Sequence, residues 1–107
     1  MDRDFKKEIE NDINSDQIVL FMKGSKDAPQ CGFSNTVCQI LNEIGKPYLT
    51  VDILADWDKR EAIKVFSNWP TFPQLYVNGK LIGGCDIVRE MWEDGSLKPL
   101  VEEATKK

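Results

Sequence analysis

The sequence contains no histidine, which removes the commonest metal ligand and the usual general base of enzymes. Ser-His-Asp and Cys-His catalysis are therefore excluded. Its three cysteines, Cys31, Cys38 and Cys85, form no Cys-x-x-Cys pair and are too few for the four ligands of a structural zinc site. Their odd number also argues against a disulfide framework. We expect any chemistry of this chain to depend on a thiolate.

Long apolar runs, basic stretches and targeting signals are also missing. No apolar segment approaches the roughly 20 residues that span a bilayer, and the charged N-terminus resembles neither a signal nor a transit peptide. The net charge of −4, from 14 basic and 18 acidic residues, leaves no positive stripe for nucleic acid. We therefore predict no membrane and no nucleic-acid partner. The expected location is cytoplasmic, or an organelle lumen if a presequence has been removed.

The chain of 107 residues is short enough to form one domain, which we place at residues 1–107. Apolar periodicity and turn residues predict helices at 3–14, 32–44, 58–67, 86–93 and after Ser96, strands at 18–22, 48–54, 74–77 and 80–82, and a loop at 23–30. A strand-helix-strand start requires a parallel pair, and Asn78-Gly79 predicts an antiparallel hairpin. The expected class is therefore α/β, with a four-stranded mixed sheet flanked by about five helices.

Cys31 lies at the junction between the 23–30 loop and the helix that begins near Gly32. At a helix N-terminus, unpaired backbone N–H groups and the positive end of the helix dipole favour a thiolate. We therefore predict that the pKa of Cys31 lies below the ordinary value for a cysteine. The alternative interpretation is a small buried residue at a helix start. The apolar face of this helix is expected to include Phe33 and Val37.

Ser34 stands where a Cys-x-x-Cys motif would have its second thiol. A hydroxyl cannot resolve a mixed disulfide as a thiolate does, so the two-thiol cycle is excluded for this motif. Two routes remain: Cys31 carries a glutathione adduct that free glutathione resolves, or Cys31 is a metal or cluster ligand. Cys38, two helical turns later, is interpreted as a small core residue.

Cys85 is a second candidate at a helix start. It follows Gly83-Gly84 and precedes Asp86. Glycines before a helix N-terminus let backbone N–H groups approach an anion closely. The alternative is that the two glycines only serve the exit from the hairpin.

The segment Trp-Pro-Thr-Phe-Pro at residues 69–73 leads into a predicted strand. Pro73 has no N–H to donate, so it belongs at the strand start. If the bond before Pro73 is cis, the backbone groups of Thr71 and Phe72 are free to pair with an extended ligand. The alternative is a rigid loop that packs Trp69 on the core.

Two cations lie near these candidates. Lys23 ends the first strand, from where it could reach the Cys31 sulfur or a ligand carboxylate, although a lysine at a strand end is usually solvated. Arg60, with Lys59, opens the third helix, where the helix dipole disfavours a positive charge. Such a placement is either functional or incidental.

Taken together, these segments resemble a monothiol glutaredoxin of the Cys-Gly-Phe-Ser type. The resemblance rests on residues 21–25, Pro29, 31–34, 51–54, 68–79 and 83–87, and so spans nearly the whole chain. It implies a thioredoxin-like fold and glutathione as the ligand. One departure is Lys26, where relatives often have proline.

The resemblance also implies roles for individual residues. Cys31 is then the reactive and cluster-ligating cysteine. Eight residues are implied to bind glutathione, at its glycine carboxylate (Lys23 and Arg60), its cysteinyl backbone (Thr71, Phe72 and a cis Pro73) and its γ-glutamyl end (Gly84, Cys85 and Asp86).

Members of this family bridge a [2Fe-2S] cluster between two subunits. Such a cluster takes four thiolates, which Cys31 from each of two chains and two glutathione thiols would supply. The resemblance thus implies a homodimer in the cluster-bound state, with a BolA-like protein and apo iron–sulfur client proteins as candidate partners. The function we favour is cluster carriage. The alternatives are a glutathione-dependent monothiol oxidoreductase, which Ser34 and the long loop before Cys31 disfavour, and a redox-inactive adaptor.

Overall fold

The computed structural model describes residues 3–106, so Met1, Asp2 and Lys107 of the predicted 1–107 domain lie outside the described residues. The elements in chain order are α1 (Phe5–Asn14), β1 (Ile18–Met22), β2 (Gly24–Ser25), β3 (Ala28–Pro29), α2 (Gly32–Ile44), β4 (Leu49–Asp52), α3 (Trp57–Ser67), β5 (Gln74–Val77), β6 (Lys80–Gly83), α4 (Cys85–Glu93) and α5 (Leu97–Ala104). Over this described part, no helix combines the length and apolar character needed to cross a membrane.

The main sheet has four strands in the order β4-β1-β5-β6. β1 pairs in parallel with β4, with Val19 opposite Leu49, and antiparallel with β5, with Leu20 opposite Leu75. β5 and β6 form the predicted hairpin, and its turn residues Asn78 and Gly79 both have positive φ, at 51° and 80°. An Asn-Gly pair favours this turn because both residues tolerate positive φ. The mixed α/β sheet and its parallel pair are therefore confirmed.

The continuous apolar run of β1 is explained by helices on both faces of the sheet. Successive side chains of a strand point to opposite faces. Ile18, Leu20 and Met22 belong to the core that α2, α4 and α5 cover. Val19 and Phe21 belong to the core that α1 and α3 cover. The central strand is thus buried along its whole length, and its carboxyl end delivers Lys23 to one edge of the sheet.

The 23–30 segment is more ordered than the predicted loop. β2 and β3 pair antiparallel within it, and the backbone N–H of Gln30 donates to the Lys23 carbonyl at 2.9 Å. Two-residue strands are too short to show a period in the sequence. Other predicted bounds are wrong by one or two residues: α1 begins at Phe5, after Asp4 accepts a capping hydrogen bond from Lys7 N–H, and β4 ends at Asp52.

Candidate functional site

A cavity of about 350 Å³ opens where the start of α2, the loop before β5 and the start of α4 meet, within the size range of small-molecule pockets. Six of the predicted site residues line it: Lys23, Thr71, Phe72, Gly84, Cys85 and Asp86. Three further lining residues, absent from the predicted set, are Phe33, Trp69 and Ile87. The fold thus brings together segments that are about 60 residues apart in the chain.

Cys31 is the half-buried N-cap residue of α2. It does not itself line the cavity, but Lys23 and Phe33, which both affect its pKa, do. Partial burial by itself raises the pKa of the thiol. The backbone N–H groups of Ser34 and Phe33, the charge of Lys23 and the Ser34 hydroxyl outweigh that effect, and they hold the pKa of Cys31 below its ordinary value. The predicted direction of the shift is confirmed.

Ser34 has a structural role in addition to its effect on Cys31. Its side chain is fully buried, and its Oγ accepts a hydrogen bond from the backbone N–H of Lys23 at 3.1 Å. This bond ties the first turn of α2 to the end of β1. The serine that ends the Cys-x-x-Ser motif therefore joins the start of α2 to the end of β1 at the site.

Gly84 allows the N-terminus of α4 to approach the loop before β5 closely. A Cβ atom at Gly84 would lie 3.2 Å from Trp69 Nε1 and 3.3 Å from the carbonyl oxygen of Pro73. The bond between Phe72 and Pro73 is cis, as the resemblance implies. Phe72 and Pro73 are buried, whereas Thr71 is exposed at the cavity.

Cys85 and Asp86 form the first turn of α4. Burial raises the pKa of the Cys85 thiol, against a smaller opposing effect of Arg89, so this sulfur is a poorer nucleophile than Cys31. Asp86 is exposed and its Oδ1 accepts a hydrogen bond from Arg89 Nη2 at 3.3 Å. This end of the cavity therefore offers backbone N–H groups of a helix N-terminus beside a carboxylate.

The two cations in the first turn of α3, Lys59 and Arg60, contact different parts of the structure. Lys59 forms an ion pair with Asp12 of α1, so its position is explained by packing between the helices. Arg60 does not line the cavity: its guanidinium lies over the Trp57 ring, 4.8 Å from the ring centroid, and its Nε is buried without a hydrogen-bond partner. Of the two predicted carboxylate-binding cations, the structure places Lys23 in the cavity wall and Arg60 outside it.

Cys38 is confirmed as a core residue. Its side chain is buried, its Sγ lies 3.5 Å from Met22 Sδ, and burial raises the pKa of its thiol. All three cysteines are free thiols. Within residues 3–106, no three Cys, Asp or Glu side chains are grouped closely enough to hold a metal ion.

Phe33 was expected on the buried face of α2, and this expectation is wrong. Its side chain is 62% exposed and forms part of the cavity wall. A spacing of four residues does place Phe33 above Val37 on the helix surface, but in the first turn of α2 the residue buried against the end of β1 is Ser34, and Phe33 borders the cavity. The signal that could have identified Phe33 is its position two residues after Cys31.

Residues 18–82 match the family model described as Glutaredoxin. A "Probable monothiol glutaredoxin 2" of Rickettsia typhi is 51% identical over 100 residues, which cover 94% of this chain and 90% of that protein. This chain belongs to the monothiol glutaredoxin family. The glutaredoxin fold extends over nearly all of the chain. The solution structure of reduced apo GrxS14 from poplar, 47% identical, superimposes with a TM-score of 0.82 and covers 95% of this chain and 94% of its own.

A second solved glutaredoxin is similar at lower identity. The crystal structure of a buckwheat glutaredoxin–glutathione complex is 28% identical, with a TM-score of 0.81, and covers 94% of this chain and 89% of its own. These matches establish the thioredoxin-like fold that the resemblance implied.

Proposed function

We propose that this glutaredoxin binds glutathione and carries a [2Fe-2S] cluster as cargo between two copies of the chain. The observation that carries the proposal is Cys31, a half-buried thiol with a lowered pKa, whose neighbours Lys23 and Phe33 line a cavity of ligand size. Cys38 and Cys85 are buried and have raised pKa values, so each chain offers one thiolate suited to ligation.

The cavity suits a short peptide with a negative charge at each end. At one end Lys23 offers a positive charge to the glycine carboxylate. At the other, the first turn of α4 with Asp86 offers N–H groups and a carboxylate to the γ-glutamyl head, which carries both charges. The loop with Thr71 and Phe72 also lines the cavity and would pair with the cysteinyl backbone. The solved buckwheat complex with glutathione supports this choice of ligand.

The proposed glutathione contacts of Arg60 and Pro73 remain predictions. Neither residue lines the cavity. The guanidinium of Arg60 lies on the Trp57 ring, and Pro73 is buried at the start of β5.

Four thiolates complete a [2Fe-2S] cluster, and one chain with one bound glutathione supplies two. Two copies of this half-site supply all four, so we propose a homodimer in the loaded state. Since two of the four ligands are non-covalently held glutathione, the cluster can be released to a client without breaking the fold.

Apo iron–sulfur proteins are the proposed clients. A BolA-like protein is proposed as a further partner, which takes the place of one subunit of the dimer. A single domain over residues 1–107 and a cytosolic or organellar location complete the proposal.

The test is anaerobic reconstitution with iron, sulfide and glutathione, followed by visible circular dichroism and gel filtration. We expect cluster bands in a dimer-sized species for the wild type and for Cys38→Ala. The bands should be absent for Cys31→Ser and when glutathione is omitted. A colourless wild-type monomer, or cluster bands that persist in Cys31→Ser, would overturn the proposal.

The lowered pKa of Cys31 also supports a second candidate, a monothiol oxidoreductase. The Cys31 thiolate would attack the glutathione sulfur of a mixed disulfide and release the client thiolate, which takes a proton. A second glutathione thiolate would then attack the Cys31–glutathione bond, giving oxidised glutathione and restoring Cys31. Release of glutathione from a glutathionylated peptide, measured with and without Cys31→Ser, decides whether this turnover occurs.

A further inference from the structure

Gln74 is a fully buried polar residue at the start of β5, directly behind the loop that lines the cavity. Its Nε2 donates hydrogen bonds to the carbonyl oxygens of Trp69 at 3.0 Å and Thr71 at 3.2 Å. Its Oε1 accepts a hydrogen bond from the Tyr76 hydroxyl at 3.2 Å. Because the two carbonyls can only accept, the amide nitrogen must face them. A buried amide is costly unless it is paired in this way, so the arrangement is well defined.

The loop that Gln74 holds has few hydrogen-bond donors of its own. Pro70 and Pro73 lack N–H groups, and residues 69–73 form no helix or strand. The backbone N–H of Trp69 donates to the Lys64 carbonyl at 3.2 Å, which ties the loop to α3 at its beginning. The Gln74 side chain then connects the loop to the sheet at the carbonyls of Trp69 and Thr71, the first of which also accepts a 3.4 Å hydrogen bond from Ser67 Oγ.

This connection determines which backbone groups face the cavity. The Thr71 carbonyl accepts a hydrogen bond from Gln74, and the Phe72 N–H, on the opposite side of the same peptide plane, is thereby held in the opposite direction. A rotation of the Thr71–Phe72 peptide would break the bond to Gln74 and turn the Phe72 N–H away from its present direction. The orientation of the ligand-pairing edge therefore depends on a side chain that does not line the cavity.

We infer that Gln74 is a positioning residue for glutathione, holding the Trp69–Thr71 carbonyls so that the Phe72 backbone pairs with the cysteinyl part of the ligand, and that Tyr76 orients Gln74. This inference rests on the proposed glutathione binding. Gln74→Met keeps the length and volume of the side chain but removes both donors, which leaves the Thr71 carbonyl without a partner and the Trp69 carbonyl with only the 3.4 Å hydrogen bond from Ser67 Oγ. Val77→Ala, in the same strand and also buried, is a matched control for general loss of packing.

The experiment measures glutathione affinity by calorimetry at a temperature where every variant is folded, and records the shift of the Phe72 amide NMR signal on adding glutathione. We expect Gln74→Met to bind at least tenfold more weakly with a reduced Phe72 shift. Val77→Ala should bind within twofold of the wild type despite a lower melting temperature. Tyr76→Phe should bind about threefold more weakly, and it decides the question if Gln74→Met fails to fold.

Equal affinity in the wild type and Gln74→Met, or in the wild type and Tyr76→Phe if only that variant folds, would overturn the inference alone. Equal weakening in Val77→Ala would also overturn it, because the effect would then reflect packing in general. If the wild type itself binds no glutathione, the proposed function fails and the inference fails with it.

Discussion

Gly84→Ala tests whether the close approach of α4 to the loop before β5 builds the site. The backbone at Gly84 is extended, with φ −96° and ψ −162°, so alanine meets no conformational strain there. The cost comes from the added methyl group, which would lie 3.2 Å from Trp69 Nε1 and 3.3 Å from the Pro73 carbonyl oxygen. Both contacts are shorter than the roughly 3.5–4.0 Å optimum for carbon contacts.

The size of the effect follows from which neighbour can move. The Trp69 indole can shift by a few tenths of an ångström, but the Pro73 carbonyl belongs to the backbone at the start of the central sheet. Overpacking of this kind costs about 1–3 kcal/mol, and the reduced freedom of the unfolded chain offsets about 0.4–1 kcal/mol of it. We expect a net loss of about 1 kcal/mol in the free energy of unfolding. In a domain of this size that lowers the melting temperature by roughly 4–8 °C.

Gly32→Ala is the matched control, since it adds the same methyl group to the first turn of the neighbouring helix. A Cβ at Gly32 would meet nothing within 4 Å, so this variant should be as stable as the wild type or up to about 1 kcal/mol more stable. Chemical and thermal unfolding of both variants measure the difference. Glutathione affinity should fall about tenfold in Gly84→Ala, which is about 1.4 kcal/mol, and stay within twofold in Gly32→Ala. If Gly84→Ala unfolds at the same temperature as the wild type, or if Gly32→Ala loses as much stability, the close approach at Gly84 does not have the proposed effect.

Two other predictions concern the segment around Cys31. Iodoacetamide reacts with the thiolate, and the pKa of Cys31 is lowered, so alkylation of Cys31 should stay fast to a lower pH than alkylation of a free cysteine. Lys23→Gln removes a positive charge and should move the fall in rate to higher pH. An unchanged pH profile in Lys23→Gln would contradict the role of the Lys23 charge. Lys26 Nζ donates to the Tyr48 carbonyl at 2.8 Å and lies 4.7 Å from the Tyr48 ring centroid. Lys26→Met should therefore cost about 1 kcal/mol locally and speed amide exchange in β2 and β3 about fivefold, whereas Lys26→Arg should change it little.

The hairpin and the start of α2 show how far local signals reach. Asn78-Gly79 predicts a turn with two positive φ angles, and the structure confirms it. The position of Cys31 at a predicted helix start indicates a lowered pKa, and this direction is also confirmed. These features depend on residues that are neighbours in the chain, so the sequence carries them directly. The same is true of the apolar run of β1, whose burial on both faces follows from its lack of polar positions.

Phe33, Arg60 and Gln74 show where local signals end. Helical spacing assigns Phe33 to the apolar face of α2. In the structure Phe33 borders a cavity instead, because the loop before β5 and the start of α4, both distant in the chain, form the other walls of that cavity. The resemblance assigns Arg60 to glutathione together with Lys23, and only the structure shows that its guanidinium lies over the exposed Trp57 ring one turn earlier. The sequence pattern predicts only that Gln74 lies in a strand. The two carbonyls to which its amide donates come from the folded loop before that strand.

The order and type of the main elements, the hairpin turn and the position of Cys31 at a helix start follow from the sequence, because each depends on contacts within a few residues. That Lys23, Phe72 and Cys85 share one cavity, with Phe33 in its wall, is visible only in the folded chain. That convergence depends on strand register and on the packing of helices far apart in the chain, and no local pattern of residue types encodes those distances.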